Sequence, residues 1–134
     1  EWDFVVGPQH PLATLIKPLT NTELRKYPAV CIRDTAVNFS HQQAWLLEGQ
    51  KPLYVPDFAI AVALIQQNTG IGYVPHHLAS PLLNDGTLVK KSMLEHKHAT
   101  QLFMAVRSEG MGKVCQWCLD YLSEPAMKNQ ICGK

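Results

Sequence analysis

The sequence lacks the features that would place the protein in several specialised classes. No apolar run approaches the roughly 20 residues of a membrane-spanning helix, and no secretory signal peptide is visible. Neither sign of charge dominates, because the formal net charge is +1, which gives no electrostatic argument for nucleic-acid binding by this chain. Repeats and low-complexity linkers are absent. The 134 residues, 46% of them hydrophobic, predict one ordinary domain whose core needs neither disulfides nor metal.

Signatures of catalysis and of metal binding are missing as well. There is no G-x-S-x-G turn of the kind that presents a hydrolase nucleophile. The segment Glu95-His96-Lys97-His98 could place two imidazoles on one side, but no third and fourth ligand follows at a diagnostic spacing. The remaining histidines are His10, His41, His76 and His77. We therefore predict no enzyme activity, no metal site and no other cofactor.

Cysteine is scarce, and its spacing is not that of a secreted disulfide framework, which favours a cytoplasmic location. Cys115 and Cys118 form a C-x-x-C motif. Reactive motifs of this kind stand at a helix N-terminus after a strand, whereas both cysteines here fall inside a helix predicted over 112–123. We expect them to pack as small hydrophobic side chains. A thiol enzyme that uses this pair is the alternative.

Two glycines one residue apart, Gly70 and Gly72, raise the question of a phosphate-binding loop. Such a loop runs from strand through glycines to helix. The order here is reversed, because a helix predicted over 57–68 precedes the glycines and a strand predicted over 71–74 follows them. The pair therefore predicts a helix end, with Gly70 as the left-handed C-cap residue.

Helices and strands alternate along the chain, which predicts an α/β fold with a mostly parallel sheet flanked by helices. Thr20 to Glu23 fit a capping box at the start of a short helix. A hairpin is predicted between 43–47 and 53–55. The other predicted strands are 2–6, 29–32, 71–74, 87–90 and 101–106, and the predicted helices are about 21–26, 57–68, 76–83 and 112–123.

Ligands of open α/β sheets bind beyond the carboxyl ends of the strands, and three segments meet that condition. Asp57 can cap a helix whose first N–H groups would face a ligand carboxylate or carbonyl, although a plain cap explains it equally well. Arg33 offers a planar fork for an anion, or is a solvated surface residue. Phe58 could supply an apolar wall. The predicted ligand-binding residues are Gln9, Arg33, Asp34, Thr35, Ala36, Pro56, Asp57 and Phe58.

Three stretches, taken in order, resemble the effector-binding domain of LysR-type transcriptional regulators. They read FVVGPQHPLA, LTNTELRKYPAV and VPDFAIAVALIQQNTGIGYVPHHLASPLLNDGTLV. The shared pattern comprises His10-Pro11-Leu12-Ala13, Gly70-Ile71-Gly72, Pro75 and Gly86-Thr87-Leu88. The resemblance covers nearly the whole chain, and its specificity lies in the ordered set of motifs.

The resemblance implies a lobe like that of a type II periplasmic binding protein, in which two α/β lobes enclose a ligand between them. It places the second lobe at about 8–100, the crossover strands at 2–6 and 101–106, and a helix of the first lobe at 112–123. It implies a hinge at Val6, Gly7, Ala105 and Val106. Because the chain starts at Glu1 rather than Met and most of the first lobe has no counterpart, we expect a piece of a longer protein.

As function, the resemblance implies sensing of a small-molecule effector, with an anionic effector suiting Arg33, in the cleft between the lobes. DNA would be contacted only through an N-terminal helix-turn-helix that this chain lacks. Helix 57–68, apolar on all sides up to Gln66, is expected in a homo-oligomer interface. The alternative within the same fold is a lobe of a periplasmic solute-binding protein, which would need an export signal.

Overall fold

The computed structural model of the protein describes residues 1–34, 45–94, 103–107 and 109–132. The chain divides into two compact units, Trp2–His98 and Ala99–Lys134, with Glu1 assigned to the latter. None of the helices in the described ranges is long and apolar enough to cross a membrane. The first unit contains β1 (Trp2–Val6), α1 (Asn21–Leu24), β2 (Ala29–Ile32), β3 (Pro52–Val55), α2 (Phe58–Gln66), β4 (Gly72–Pro75), α3 (His76–Asn84) and β5 (Val89–Lys90), and the second contains α4 (Lys113–Ser123) and α5 (Pro125–Cys132).

The strand directions confirm the predicted α/β class. β2 and β3 pair in parallel, and a parallel bridge between Ala29 and Ile71 links β2 to the start of β4. β1 lies between β4 and β5 and pairs antiparallel with both. Strands β2, β3, β4 and β5 therefore run in one direction, and β1 alone runs in the opposite direction.

Hydrophobic side chains cover both faces of this sheet, as expected for strands between two layers. Successive residues of β1 point to opposite faces, so Val5 joins one cluster while Phe4 and Val6 join the other. The buried members of the α2-side cluster are Val5, Val30, Val55, Ala61, Ile65, Val74, Ala79 and Leu88. Those of the opposite cluster are Phe4, Val6, Leu12, Leu19, Leu24, Ile71 and Met93.

Two helix starts confirm the caps expected from the sequence. The Thr20 hydroxyl accepts the Glu23 N–H at 3.3 Å, and the Glu23 carboxylate accepts the Thr20 N–H at 2.9 Å, which completes the capping box. Asp57 Oδ1 accepts the Ile60 N–H at 2.9 Å and so caps α2. Each cap satisfies a donor that the first helical turn leaves without an intrahelical partner.

The left-handed residue after α2 is Asn68, with φ of 61°, so the assignment of that role to Gly70 was wrong. Asn tolerates this conformation because its short polar side chain forms local hydrogen bonds, and the Asn68 side chain lies 3.5 Å from the Gln66 carbonyl. A glycine is needed at position 70 for a different reason, because there is no room for a side chain. A Cβ there would lie 2.8 Å from Cγ2 of Val30 and 2.9 Å from the Pro28 carbonyl.

The predicted hairpin was also wrong. β3 pairs with β2 in parallel, with Ala29 opposite Pro52 and Ile32 opposite Val55. Of the supposed partner segment 43–47, the described residues 45–47 form no strand. Gln50 explains why the chain loops here: its side-chain amide donates to the Leu24 and Tyr27 carbonyls at 2.9 and 3.0 Å. These bonds anchor the loop to the end of α1 and leave β3 free to pair with β2.

The strand predicted over 101–106 is not formed in the part that can be compared, because 103–107 has no regular secondary structure. An apolar stretch becomes a strand only when a neighbouring strand supplies hydrogen bonds, which composition alone cannot guarantee. Ala105 and Val106 therefore lie in an irregular segment rather than in a crossover strand.

The cysteine pair of α4 does not pack as expected. Cys115 is exposed and Cys118 is half-buried, whereas Cys31 in β2 is buried. The described part of this unit contains two short helices, and so small a unit has too little apolar surface to enclose a helix face. Trp117 and Tyr121 on α4 stack on each other, with ring centroids 5.3 Å apart.

Candidate functional site

The carboxyl ends of β2, β3 and β4 meet at one edge of the sheet, which we call the carboxyl edge. Ile32 at the end of β2 lies beside Val55 at the end of β3. Because β1 is antiparallel, its first residue, Trp2, pairs with Pro75 at the end of β4. Helices α2 and α3 both begin at this edge, directly after β3 and β4. The topology thus brings together the segments that the sequence placed after β2 and β3.

The start of α2 is the best-defined part of this edge. Asp57 is exposed and caps the helix through the Ile60 N–H. The N–H groups of Phe58 and Ala59, the first two helical residues, have no intrahelical partner by the geometry of an α-helix. They carry the partial positive charge of the helix N-terminus. This end of α2 can therefore accept a carboxylate or carbonyl oxygen.

The segment after β2 lies beside it. The Arg33 N–H donates to the Val55 carbonyl at 2.9 Å, which extends the pairing of β2 with β3 by one residue. The Arg33 side chain is exposed, and Asp34 is half-buried. Pro56, between β3 and the Asp57 cap, is exposed as well. Thr35 and Ala36, the other predicted binding residues of this segment, lie outside the described residues.

Gln9 does not belong to this edge, so the expectation that it lines the same site was wrong. β1 runs opposite to β2 and β3, and its carboxyl end therefore lies at the other edge of the sheet. The Gln9 N–H donates to Oδ1 of Asn68 at 3.0 Å, and Asn68 follows the C-terminal end of α2. The sequence did not reveal the direction of β1, which is what separates Gln9 from Asp57.

An apolar cavity of about 140 Å³ opens into this part of the unit. Trp2 and Phe58 contribute two of its rings, with centroids 5.9 Å apart. Among the described residues, a bridge between Ala29 and Ile71 joins β2 to the start of β4. Residues of both strands that follow this bridge in the chain line the cavity. The lining residues are Trp2, Val30, Cys31, Ile32, Trp45, Phe58, Ala61 and Tyr73.

Two of the cavity's aromatic walls belong to a cluster of three rings. Phe4, Tyr73 and Trp45 contact one another edge to face, with centroid distances of 5.0, 5.5 and 5.5 Å. Phe4 is buried and is part of the core cluster. Trp2, Trp45 and Tyr73 were not among the predicted site residues, because only the reversed direction of β1 and the course of the chain back to Trp45 bring them to Phe58.

A buried charged cluster lies close to the same edge. Asp3 of β1 is fully buried; its carboxylate oxygens lie 2.7 Å from Nδ1 of His76 and 2.5 Å from Nζ of Lys90. Burial acts to raise the pKa of Asp3, but the hydrogen bonds from Lys90 and His76 outweigh it and the pKa is lowered. His76 is the first residue of α3. This cluster was not predicted, although a charged residue inside the apolar strand WDFVV was a signal for it.

The sequence predicted no metal site, and the structure describes only three of the six histidines. His96, His98 and His41 lie outside the described residues. His10 is buried beyond the carboxyl end of β1, on the side of the sheet opposite the carboxyl edge, and its Nδ1 accepts the Leu12 N–H at 3.2 Å. His77 is exposed on α3.

Comparison with known proteins identifies the family. The chain matches the LysR substrate binding domain over residues 1–126. It is 43% identical to the HTH-type transcriptional activator AllS of Klebsiella pneumoniae over 88 residues, which are 66% of this chain and 33% of that protein. It is 30% identical to the HTH-type transcriptional regulator PunR of Escherichia coli K12 over 129 residues, which are 96% of this chain and 42% of that protein. The chain thus spans about two fifths or less of the length of these relatives.

Two solved structures share the fold. The regulatory domain of MetR, a LysR family regulator from N. meningitidis, superimposes with a TM-score of 0.52 at 16% identity, covering 69% of this chain and 44% of that one. The effector binding domain of QuiR, solved with shikimate, gives 0.51 at 22% identity, covering 73% of this chain and 47% of that one. These likenesses confirm the predicted α/β fold of an effector-binding domain. With the family match over residues 1–126, they show that this chain belongs to the LysR substrate-binding domain family.

Proposed function

We propose that this chain is the effector-sensing part of a LysR-type transcriptional regulator, and that a small molecule binds at the carboxyl edge of its sheet. The observation that carries the proposal is the convergence at this edge of the capped start of α2 and the segment that follows β2. The Arg33 N–H donates to the Val55 carbonyl at the end of the sheet pairing, and Asp57, two residues after Val55, caps α2.

The chemistry of this edge favours an effector that carries a carboxylate. Helix N-termini bind anions through free N–H groups and the helix dipole, and here the Phe58 and Ala59 N–H groups are those donors. A guanidinium adds a planar pair of donors that matches a carboxylate, which is the role of Arg33. Asp34, Thr35, Ala36 and Pro56 complete the proposed site, and Asp57 orders it by capping α2. The QuiR domain was solved with shikimate, a precedent for a small-molecule ligand on this fold.

The domain organisation belongs to the same proposal. Residues of about 8–100 form the second lobe of the effector domain, and the helix at 112–123 belongs to the first lobe. Val6 and Gly7 lie at the carboxyl end of β1, away from the carboxyl edge, and Gly7 is packed against α2. Of the predicted hinge residues, we therefore keep Ala105 and Val106 as the point about which the lobes move. The effector would then lie in the cleft that the carboxyl edge faces.

The rest of the regulator determines how the signal is used. We place DNA contact in a helix-turn-helix outside this chain, because the net charge of +1 gives no electrostatic argument for nucleic-acid binding by this chain. The full regulator would act in the cytoplasm, where its DNA lies, and this chain would be a sensor rather than an enzyme. Association through α2 would make the regulator a homo-oligomer.

Isothermal calorimetry and thermal unfolding of the whole chain, with shikimate and benzoate as the first probes, test the site. Arg33→Ala should weaken carboxylate binding about tenfold, or about 1.4 kcal/mol. Arg25→Ala is the matched control. Arg25 is an exposed arginine that precedes β2 and so lies at the other edge, where its Nε donates to the Glu48 carbonyl at 3.1 Å. Equal affinities in the two variants would move the anion site away from Arg33.

A further inference from the structure

We infer that the apolar cavity beside Phe58 binds a flat apolar ring of about the size of benzene, so that the effector is a cyclic or aromatic carboxylate. This inference rests on the proposed function for the anion site and for the role of the ligand as an effector, whereas the cavity itself is a feature of the described residues. It adds a second subsite, of opposite chemistry, to the anion site at the start of α2.

The size of the cavity sets the size of the group. Its volume is about 140 Å³. An engineered apolar cavity of about 150 Å³ in another protein stays dry and binds benzene. A six-membered ring therefore fits here.

The lining decides the polarity of the group. Val30, Cys31 and Ala61 are the buried members of the lining. The half-buried members are Trp2, Ile32, Trp45, Phe58 and Tyr73. None of these lining residues is charged, and a water molecule would need two to four polar partners to be held there. Aromatic walls bind a ring through stacked or edge-to-face contacts.

The position of the cavity links the ring to the anion site. Phe58 is both a wall of the cavity and the first residue of α2, whose free N–H groups suit a carboxylate. Ile32 is another wall, and Arg33 follows it directly in the chain. One molecule that carries a ring and a carboxylate could therefore contact both subsites at once. A carboxylate without a ring would occupy only the second.

Intrinsic fluorescence can report on the cavity directly. The chain has three tryptophans, of which Trp2 and Trp45 line the cavity and Trp117 lies on α4 in the other unit. In a Trp117→Phe background the whole tryptophan signal therefore comes from the two lining rings. Benzene tests the cavity alone, acetate tests the anion site alone, and benzoate tests both.

We expect a saturable change of fluorescence with benzene and with benzoate. Ala61→Leu in the same background adds bulk at a buried lining residue and should weaken both at least about tenfold. Ala63→Leu is the matched control, because it adds the same atoms at an exposed position of the same helix, and it should leave both affinities within about twofold. Ala61→Val, a smaller addition, serves the same purpose if Ala61→Leu does not fold.

The outcomes separate this inference from the proposed function. Binding of acetate without binding of benzene or benzoate would overturn the cavity inference and leave the anion site standing. Binding of benzene that Ala61→Leu and Ala61→Val leave unchanged would also overturn it, since the ring would then lie elsewhere. Binding of benzene without any effect of Arg33→Ala on benzoate would support the cavity and count against the proposed anion site.

Discussion

The buried carboxylate of Asp3 lies 2.7 Å from Nδ1 of His76. This contact joins the antiparallel strand β1 to α3, of which His76 is the first residue. The second carboxylate oxygen lies 2.5 Å from Nζ of Lys90 in β5. One side chain thus connects β1 to elements on both sides of it. A charge in an apolar interior is tolerated only when it is paired. This cluster therefore favours the antiparallel position of β1 between β4 and β5.

Removal of the ammonium partner should therefore be costly. Lys90→Met is expected to lower the free energy of unfolding by about 2–4 kcal/mol, because it leaves the Asp3 carboxylate with less compensation. Urea denaturation followed by circular dichroism measures the change. Lys51→Met, at an exposed lysine in the loop before β3, is the control and should stay within about 0.5 kcal/mol. Equal effects of the two substitutions would show that the Asp3 pair contributes little.

The same carboxylate should make the fold sensitive to acid. The pKa of Asp3 is lowered from 3.8 in the folded protein, despite the opposing effect of burial. The stability that its ionised form contributes is therefore complete above the ordinary pKa and is lost as the pH falls through the folded value. Asp3→Asn should show a shallower loss of stability below about pH 5, as measured by urea denaturation at a series of pH values.

The stability of the Asp3→Asn variant will still fall somewhat in acid. The part that remains is a second contribution, which can be tested separately. Hydrogen bonds from Lys17 and Thr20 lower the pKa of Glu23 to about 2, so this group acts in the same direction. Glu23→Gln should remove that remaining part and leave the part due to Asp3. A pH profile of Asp3→Asn identical to that of the unsubstituted chain would contradict the assignment.

His10 should add a separate dependence at milder pH. Burial lowers the pKa of His10 below 6.5, and its Nδ1 accepts the Leu12 N–H only when that nitrogen carries no proton. The neutral form is favoured in the fold, so its contribution is present above pH 6.5 and is lost as the pH falls through the folded pKa. His10→Asn should reduce the loss of stability between about pH 7.5 and about pH 5.5. Thermal unfolding at both pH values measures it, and an unchanged loss would assign the effect to other histidines.

Gly7 should tolerate no side chain. A Cβ at this position would lie 2.4 Å from the Ile65 carbonyl oxygen of α2, and a helix backbone cannot easily move aside. Gly7→Ala should cost about 1–3 kcal/mol, the usual cost of overpacking, as measured by urea denaturation. Gly112→Ala is the control, because an added Cβ there meets no described atom within 4 Å. A neutral Gly7→Ala would mean that β1 and α2 separate readily, as a hinge at Gly7 would allow.

Association through α2 can be tested at a position that the structure now identifies as outward. Ala61 and Ile65 are buried, whereas Ala59, Ile60 and Ala63 are exposed on the other side of the helix. An apolar outer face of this kind favours contact with a second copy. We expect the chain to be a dimer or larger at micromolar concentration, and Ala63→Glu to dissociate it. Sedimentation equilibrium decides, with Asn84→Glu on α3 as a charge-matched control and a monomer of 15.0 kDa as the contrary result.

Local patterns in the sequence determined much of this fold. The capping box of Thr20 and Glu23 and the Asp57 cap depend on hydrogen bonds between residues close in the chain, and both lie where they were predicted. The turn from α2 into β4 was also predicted, but Asn68 rather than Gly70 is its left-handed residue. The alternation of strands and helices predicted the α/β class for the same reason. The ordered motifs from His10 to Leu88 also predicted the family, because together they describe one arrangement of elements.

Contacts between residues distant in the chain decided the rest. The direction of β1 depends on its pairing with β4 and β5, and it separates Gln9 from Arg33 and Asp57. The same direction brings Trp2 to Phe58 and buries Asp3 beside His76, 73 residues away. Sequence periodicity does not predict contacts between residues so far apart in the chain, because burial and strand pairing across the sheet decide them. The sequence by itself therefore determined the elements and the family, whereas the tertiary structure decided which side chains surround the cavity and the candidate anion site.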